Sequence, residues 1–184
     1  MLSPGPRWLL AAAFTVLATA VSVFHARGSE ETAYIIGYLL MGSVTAAVVL
    51  SLLLLIRSLP QHRIPPVELL QSAGSLWISN VLVFAAWYWK LDAGGPHMRE
   101  KVALHEDGAF LFPQMALHKQ SPAKPDRWRP HFIDYLFLSF NTSTALSPTD
   151  TQILSRWAKA LMMLQSLISL AIIVLLAARA VNIL

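Results

Sequence analysis

Four stretches of this chain, residues 8–24, 32–56, 69–89 and 160–178, contain no Asp, Glu, Lys or Arg. Their lengths run from about 17 to about 25 residues and bracket the ~20 that a helix needs to cross a bilayer. In hydrocarbon every backbone N–H and C=O has to be satisfied within the chain, which leaves helices or closed barrels. Continuous apolar runs of this length select helices. Composition agrees, because only 13% of the 184 residues are charged, about half the fraction of an ordinary soluble domain. The expected fold class is an all-α integral membrane protein with four transmembrane helices. The first stretch has a second reading: Arg7, a short apolar run and Ala18-Thr19-Ala20 also fit a signal peptide with its cleavage site. The reading taken is a retained helix.

Loop charges give an orientation. Arg7 precedes the first stretch, and Arg57, His62 and Arg63 lie between the second and third, whereas Glu30 and Glu31 accompany Arg27 in the first loop. Short loops rich in Lys and Arg stay on the cytoplasmic side. Both termini are therefore expected in the cytoplasm, with residues 90–130 outside, as in a bacterial inner membrane. Trp87, Tyr88 and Trp89 read as an aromatic belt at the outer face. Arg156 and Lys159 oppose the charge rule and are read as snorkelling to lipid headgroups. Pro60 should end the second helix, and Pro65-Pro66 with Glu68 should open the third. Residues 92–130, punctuated by Gly94, Gly95 and five prolines, read as loop rather than long regular elements.

The same composition narrows function. A net charge of +4 without a basic stripe argues against nucleic acid. The chain has no cysteine, which removes disulfides, thiolate metal sites and cysteine nucleophiles together. His97, His105, Glu106, Asp107, His118 and His131 are metal-ligand types, but their spacing matches no compact ligand motif, so no metal or other cofactor is expected. The spans are nearly free of ionisable groups, and no Ser-His-Asp context is present, so no enzyme activity is expected.

Residues 132–150 stand apart. Phe132 opens an apolar run of about a dozen residues, too short to span, beside a helix that is long enough. A Ser/Thr/Pro tract closed by Asp150 follows it. An apolar segment of this length next to a span reads as re-entrant. Non-helical backbone at membrane depth survives only in contact with protein or water.

From residue 65 onward the chain resembles the two-helix pore module of the potassium-channel superfamily. That family runs outer helix, extracellular loop, short pore helix, filter loop, Asp, inner helix. The matching order here is residues 69–89, 90–130, 132–143, 144–149, Asp150 and 153–184, with residues 1–64 as two preceding helices. Ser139-Phe140-Asn141-Thr142-Ser143-Thr144 matches the end of the family's pore helix, and Ala158-Lys159 echoes its small-basic pair. The resemblance implies a homotetramer around a fourfold axis, with a re-entrant pore helix before the last span.

The filter departs from the family. In register, Ala145, Leu146, Ser147, Pro148 and Thr149 stand where T-V-G-Y-G would stack carbonyls around a dehydrated ion. Both glycines are replaced, and Ser and Thr do not reach left-handed angles cheaply. Pro148 fixes its own angle and pushes Ser147 towards an extended one. The usual potassium filter is therefore not expected. One reading is a weakly selective cation channel, lined by Thr142, Thr144, Ser147 and Thr149, with an outer ring of Asp150 attracting inorganic cations. Another is a non-conducting scaffold or regulatory subunit that keeps the architecture. A third takes Ser147-Pro148-Thr149-Asp150 as a helix N-cap, compatible with either. Gln165 and Ser169, four apart on one face with Met162 and Ile172, are candidates for lining the inner helix. Together with Asn80 and Ser166, they are equally the residues that hydrogen-bond between helices in lipid. No glycine occurs between residues 153 and 184 to serve as a hinge. Membrane lipid is the remaining expected partner.

Overall fold

A computed structural model describes residues 30–58, 66–101, 108–115, 128–144 and 150–181. The first expected span, residues 8–24, lies outside the described residues, as do residues 145–149. Helix α1 runs Glu30–Ser58, α2 runs Pro66–Leu91, and a 3-10 turn, Asp92–Gly94, leads to the short α3, Pro96–Lys101. Strand β1, Phe110–Leu111, is followed by α4, Phe132–Thr144, strand β2, Gln152–Ile153, and α5, Arg156–Val181. Three segments are long and apolar enough to cross a membrane: Ile35–Arg57 in α1, Val67–Gly94 in α2 and the turn that follows it, and Arg156–Ala178 in α5. The protein is thus a mostly helical membrane protein.

Helix boundaries follow the local chemistry. Helix α1 is described to Ser58, two positions before Pro60 in the sequence. Pro66 opens α2 with Glu68 in its first turn, where the fixed proline angle and the helix dipole both favour them. At α4 the Asp134 carboxylate accepts from the His131 backbone N–H at 2.7 Å, and Asp134 N–H donates to His131 O. This pairing satisfies an amide that would otherwise be left open at the helix start.

The contact units divide inside α1: Met1–Ala47 is one and Val48–Leu184 the other. In the first unit, Ser43 and Thr45 turn their hydroxyls back onto Leu40 O and Met41 O at 2.8 Å, so these polar groups are satisfied along the helix itself. In the second unit, Leu69, Ala73, Phe84 and Tyr88 of α2 join Tyr135 and Leu138 of α4 and Ala158, Ile168, Ile172 and Leu175 of α5 in one core. Val48, Leu52 and Leu55 from the last turns of α1 belong to the same core.

The segment expected as loop contributes to that core. Phe110 pairs with Ile153 and Leu111 with Gln152 in an antiparallel bridge, and Leu154 N–H donates to Ala109 O at 2.8 Å. Phe110 is buried with its ring edge-on to Tyr88, Tyr135 and Trp157, and Phe112 packs against Tyr135 and Trp128. Edge-to-face contacts of this kind add to the area each ring buries.

One boundary and its cap differ from the expectation. Helix α5 begins at Arg156 rather than residue 153, because Gln152 and Ile153 are held extended by β1. Its cap is Ser155, whose Oγ accepts from Ala158 N–H at 3.2 Å, and not the Ser147-Pro148-Thr149-Asp150 tract. Ser155→Ala is expected to cost about 1 kcal/mol, read as a lower unfolding midpoint in detergent, with Ser155→Asp restoring it.

The reversal after α2 is tight. Ala93, Gly94 and Gly95 have φ of 47°, 75° and 91°. At Gly94 a Cβ would also sit 3.2 Å from Met98 Cβ and Cγ, so both backbone angle and space favour glycine there. Arg99 returns over this turn and donates from Nη1 to Trp89 O and Asp92 O, each at 2.8 Å. It thereby satisfies carbonyls that a helix end leaves open and places a cation at its negative pole.

Candidate functional site

Helix α4 has 13 residues, so it extends about 20 Å at 1.5 Å per residue, short of the ~30 Å hydrocarbon core. It packs against both α2 and α5. Three serine and tyrosine side chains on its buried face record its course. Tyr135 OH donates to Asp92 Oδ2 at 2.5 Å, just past the end of α2. One turn later Ser139 Oγ donates to Val81 O at 2.7 Å, well back along α2. After another turn Ser143 Oγ meets Ser169 Oγ in α5. Ser139 and Ser143 face Gln165 and Ser169 in that order, so α4 runs parallel to α5 and antiparallel to α2. It begins level with the start of α5 and ends level with its middle.

The contact surface between these helices is polar at its centre. Gln165 Nε2 donates to Ser139 O and Ser139 Oγ, both at 2.8 Å, while Gln165 Oε1 accepts from Tyr88 OH at 2.6 Å. Asn80 Nδ2 donates to Ser169 Oγ at 2.9 Å and, at a long 3.5 Å, to Gln165 O. These five residues, and Ser143 with them, are essentially without solvent exposure. The pattern follows from helical spacing, since i and i+4 lie one above the other on the same face. Two such pairs, Ser139/Ser143 and Gln165/Ser169, match on parallel helices. Small serines let the backbones approach, and a polar group in an apolar surround is costly unless paired.

A second buried cluster lies at the start of α4. Asp92 is fully buried and its Oδ1 accepts from Ala109 N–H at 2.5 Å, while Oδ2 accepts from Tyr135. The Arg99 guanidinium lies 5.2 Å from the Tyr135 ring centre and 6.0 Å from that of Trp89. Burial foremost, then the Asp92 charge and hydrogen bond, pushes the Tyr135 hydroxyl far above its ordinary pKa. One carboxylate thereby joins the turn after α2, the strand segment before β1 and the first turns of α4.

The residues expected at a pore fall in different places. Thr142 and Thr144, at the end of α4, are half-buried and turn their hydroxyls onto Leu138 O and Asn141 O. Asp150 is exposed two residues before β2, at the other end of α4 from Thr144. Ala145, Leu146, Ser147, Pro148 and Thr149 lie outside the described residues. Gln165 and Ser169 face α2 and α4 rather than an open surface. The exposed side of α5 carries Met163, Leu164, Leu167, Leu170, Ile173 and Val174. Ser166 is half-buried beside them. Of the aromatic triplet expected at the membrane surface, Tyr88 is instead fully buried, with its hydroxyl on Gln165. His131 is exposed, and His105, Glu106, Asp107 and His118 lie outside the described residues.

Sequence reasoning passed over Asp92, Arg99, Tyr135, Ser139 and Ser143. For the two serines a signal existed: their i, i+4 spacing repeats that of Gln165 and Ser169. For Asp92 the signal was a lone carboxylate at the end of a span, directly before Ala-Gly-Gly.

No family model, curated protein or solved structure matches this chain.

Proposed function

We propose that the protein is a channel-like, pore-forming membrane protein that passes inorganic cations with weak selectivity. The observation that supports this reading best is the course of α4. A short helix lies between two spanning helices, runs parallel to the last, and ends level with its middle, with the exposed Asp150 back at the opposite end. Under this reading α4 is the re-entrant pore helix that precedes the filter-like loop expected over 144–150, and four copies assemble around the pore. Carboxylate rings favour cations, and hydroxyl oxygens coordinate ions that keep part of their hydration. The chain then has four spans, with both termini cytoplasmic and Asp150 at the outer mouth of a bacterial inner membrane.

Planar-bilayer recording on purified tetramer tests it. Unitary cation currents in both sodium and potassium salts are expected, and Asp150→Asn should move the reversal potential in a salt gradient towards the anion side. Silence across several salts from a verified tetramer would overturn conduction. A monomer or dimer would remove the fourfold arrangement.

One observation favours a non-conducting scaffold as the second reading. Gln165 and Ser169, the polar side chains best placed to line an inner-helix pore, are engaged within the subunit, and the exposed face of α5 is apolar. Such a surface suits contact with lipid or another apolar helix.

A further inference from the structure

Within the polar network one atom stands out. Asn80 has no solvent exposure, and its Oδ1 has no hydrogen-bond partner among the described residues. Rotating the amide by half a turn would place the oxygen towards Ser169 and turn Nδ2 to the unpaired side, exchanging an unmet acceptor for an unmet donor. A second valence is open beside it. Ser143 and Ser169 share one hydrogen bond, which uses one of their two hydroxyl protons. Neither serine donates elsewhere among the described residues. The open acceptor and the spare proton belong to neighbouring groups, since Asn80 Nδ2 already lies 2.9 Å from Ser169 Oγ. One molecule that both accepts and donates satisfies both.

We infer that Asn80, Ser143 and Ser169 form the seat of an ordered water, which accepts from a serine hydroxyl and donates to Asn80 Oδ1. Asn80 lies near the middle of α2 and Ser169 near the middle of α5, so the seat is at mid-membrane depth. An isolated polar group there is costly, whereas buried water with two or more polar partners is an ordinary structural component. The site gives solvent a fixed position beside the end of α4, deep between two spanning helices. It is independent of conduction: a scaffold needs the same water to satisfy the same atoms.

Water-edited solid-state NMR on the intact protein in liposomes tests this directly. The chain has three asparagines, Asn80, Asn141 and Asn182, so asparagine- and isoleucine-selective 13C labelling yields three side-chain carbonyl signals beside the isoleucine methyls. Asn80→Ala and Ile172→Val each identify one signal by its loss. Magnetisation from water is expected to reach Asn80 Cγ several times faster than the Ile172 methyl, which is fully buried in the same core. Equal build-up at the two positions would overturn the inference. In Ser143→Ala/Ser169→Ala, which removes the partner hydroxyls, transfer to Asn80 should slow markedly. An unchanged rate would overturn the serines' part in the seat. Once the signals are assigned, the two wild-type rates decide the main point.

Discussion

Asp92→Ala is expected to destabilise the protein by about 3–5 kcal/mol, the range for removing one member of a buried charged group. The carboxylate is the shared acceptor for Ala109 N–H and Tyr135 OH, and the buried Arg99 donates to the backbone carbonyl of the same residue. Its loss leaves a donor on each of two separate segments without a partner and a cation without compensation. The measurement is denaturant unfolding in detergent micelles, read as a fall in midpoint at constant slope. Asp92→Ala/Arg99→Met should recover part of the loss, because the uncompensated cation is then gone. No recovery would place the whole effect on the two neutral donors. Tyr135→Phe separates these further through pH. The folded Tyr135 holds its proton above the ordinary pKa of 10.0, so above about pH 10 the unfolded chain binds fewer protons than the folded one and stability falls. Below that pH the contribution is fully present. Tyr135→Phe should lose the part of this alkaline slope that Tyr135 carries, and an identical slope in both proteins would contradict the assignment.

Gln165→Leu is the second large effect, expected at about 2–4 kcal/mol. Hydrogen bonds between helices in membranes contribute about 0.6 kcal/mol on average and up to ~2. A buried polar group left without a partner costs a further ~1–3 kcal/mol. Leucine removes three bonds and leaves Tyr88 OH buried with no acceptor. Tyr88→Phe on that background removes the stranded hydroxyl and should restore roughly 1 kcal/mol or more. If Tyr88→Phe and Gln165→Leu are simply additive, the Tyr88–Gln165 bond contributes nothing, and the cost lies with Ser139 and the depth of α4. Gln165→Glu is informative in the same assay: its carboxylate keeps the acceptor for Tyr88 but brings a charge into the core and loses both donors to Ser139.

The elements were legible to different degrees, for identifiable reasons. Helices α1, α2 and α5 follow from long charge-free runs, and proline and Glu68 place two of their ends within a residue or two. Helix α4 could be read at residues 132–143 because its apolar run is bounded by His131 and the Ser/Thr tract. The start of α5 was misplaced by three residues. Gln152 and Ile153 carry no local signal for a strand; they are extended because a segment some forty residues upstream pairs with them. The role of Tyr88 was invisible for a similar reason. Position at the end of a span makes an aromatic residue look interfacial, and only its contact with Gln165 shows that it faces inward.

The sequence by itself determined that the chain belongs in a membrane, that the segments of α1, α2, α4 and α5 are helical, and that α4 is too short to cross. These follow from burial of backbone polar groups in hydrocarbon, a demand that each segment meets locally. It also singled out Asn80, Gln165 and Ser169 as polar groups in apolar helices that need partners. Tertiary structure alone decided who those partners are. It matched two serines of α4 to two residues of α5, tied Asp92 to Tyr135 and Ala109, and brought the segment around Phe110 into the core. Pairing depends on the depth and direction at which helices meet, and that is a property of three packed helices together rather than of any one of them.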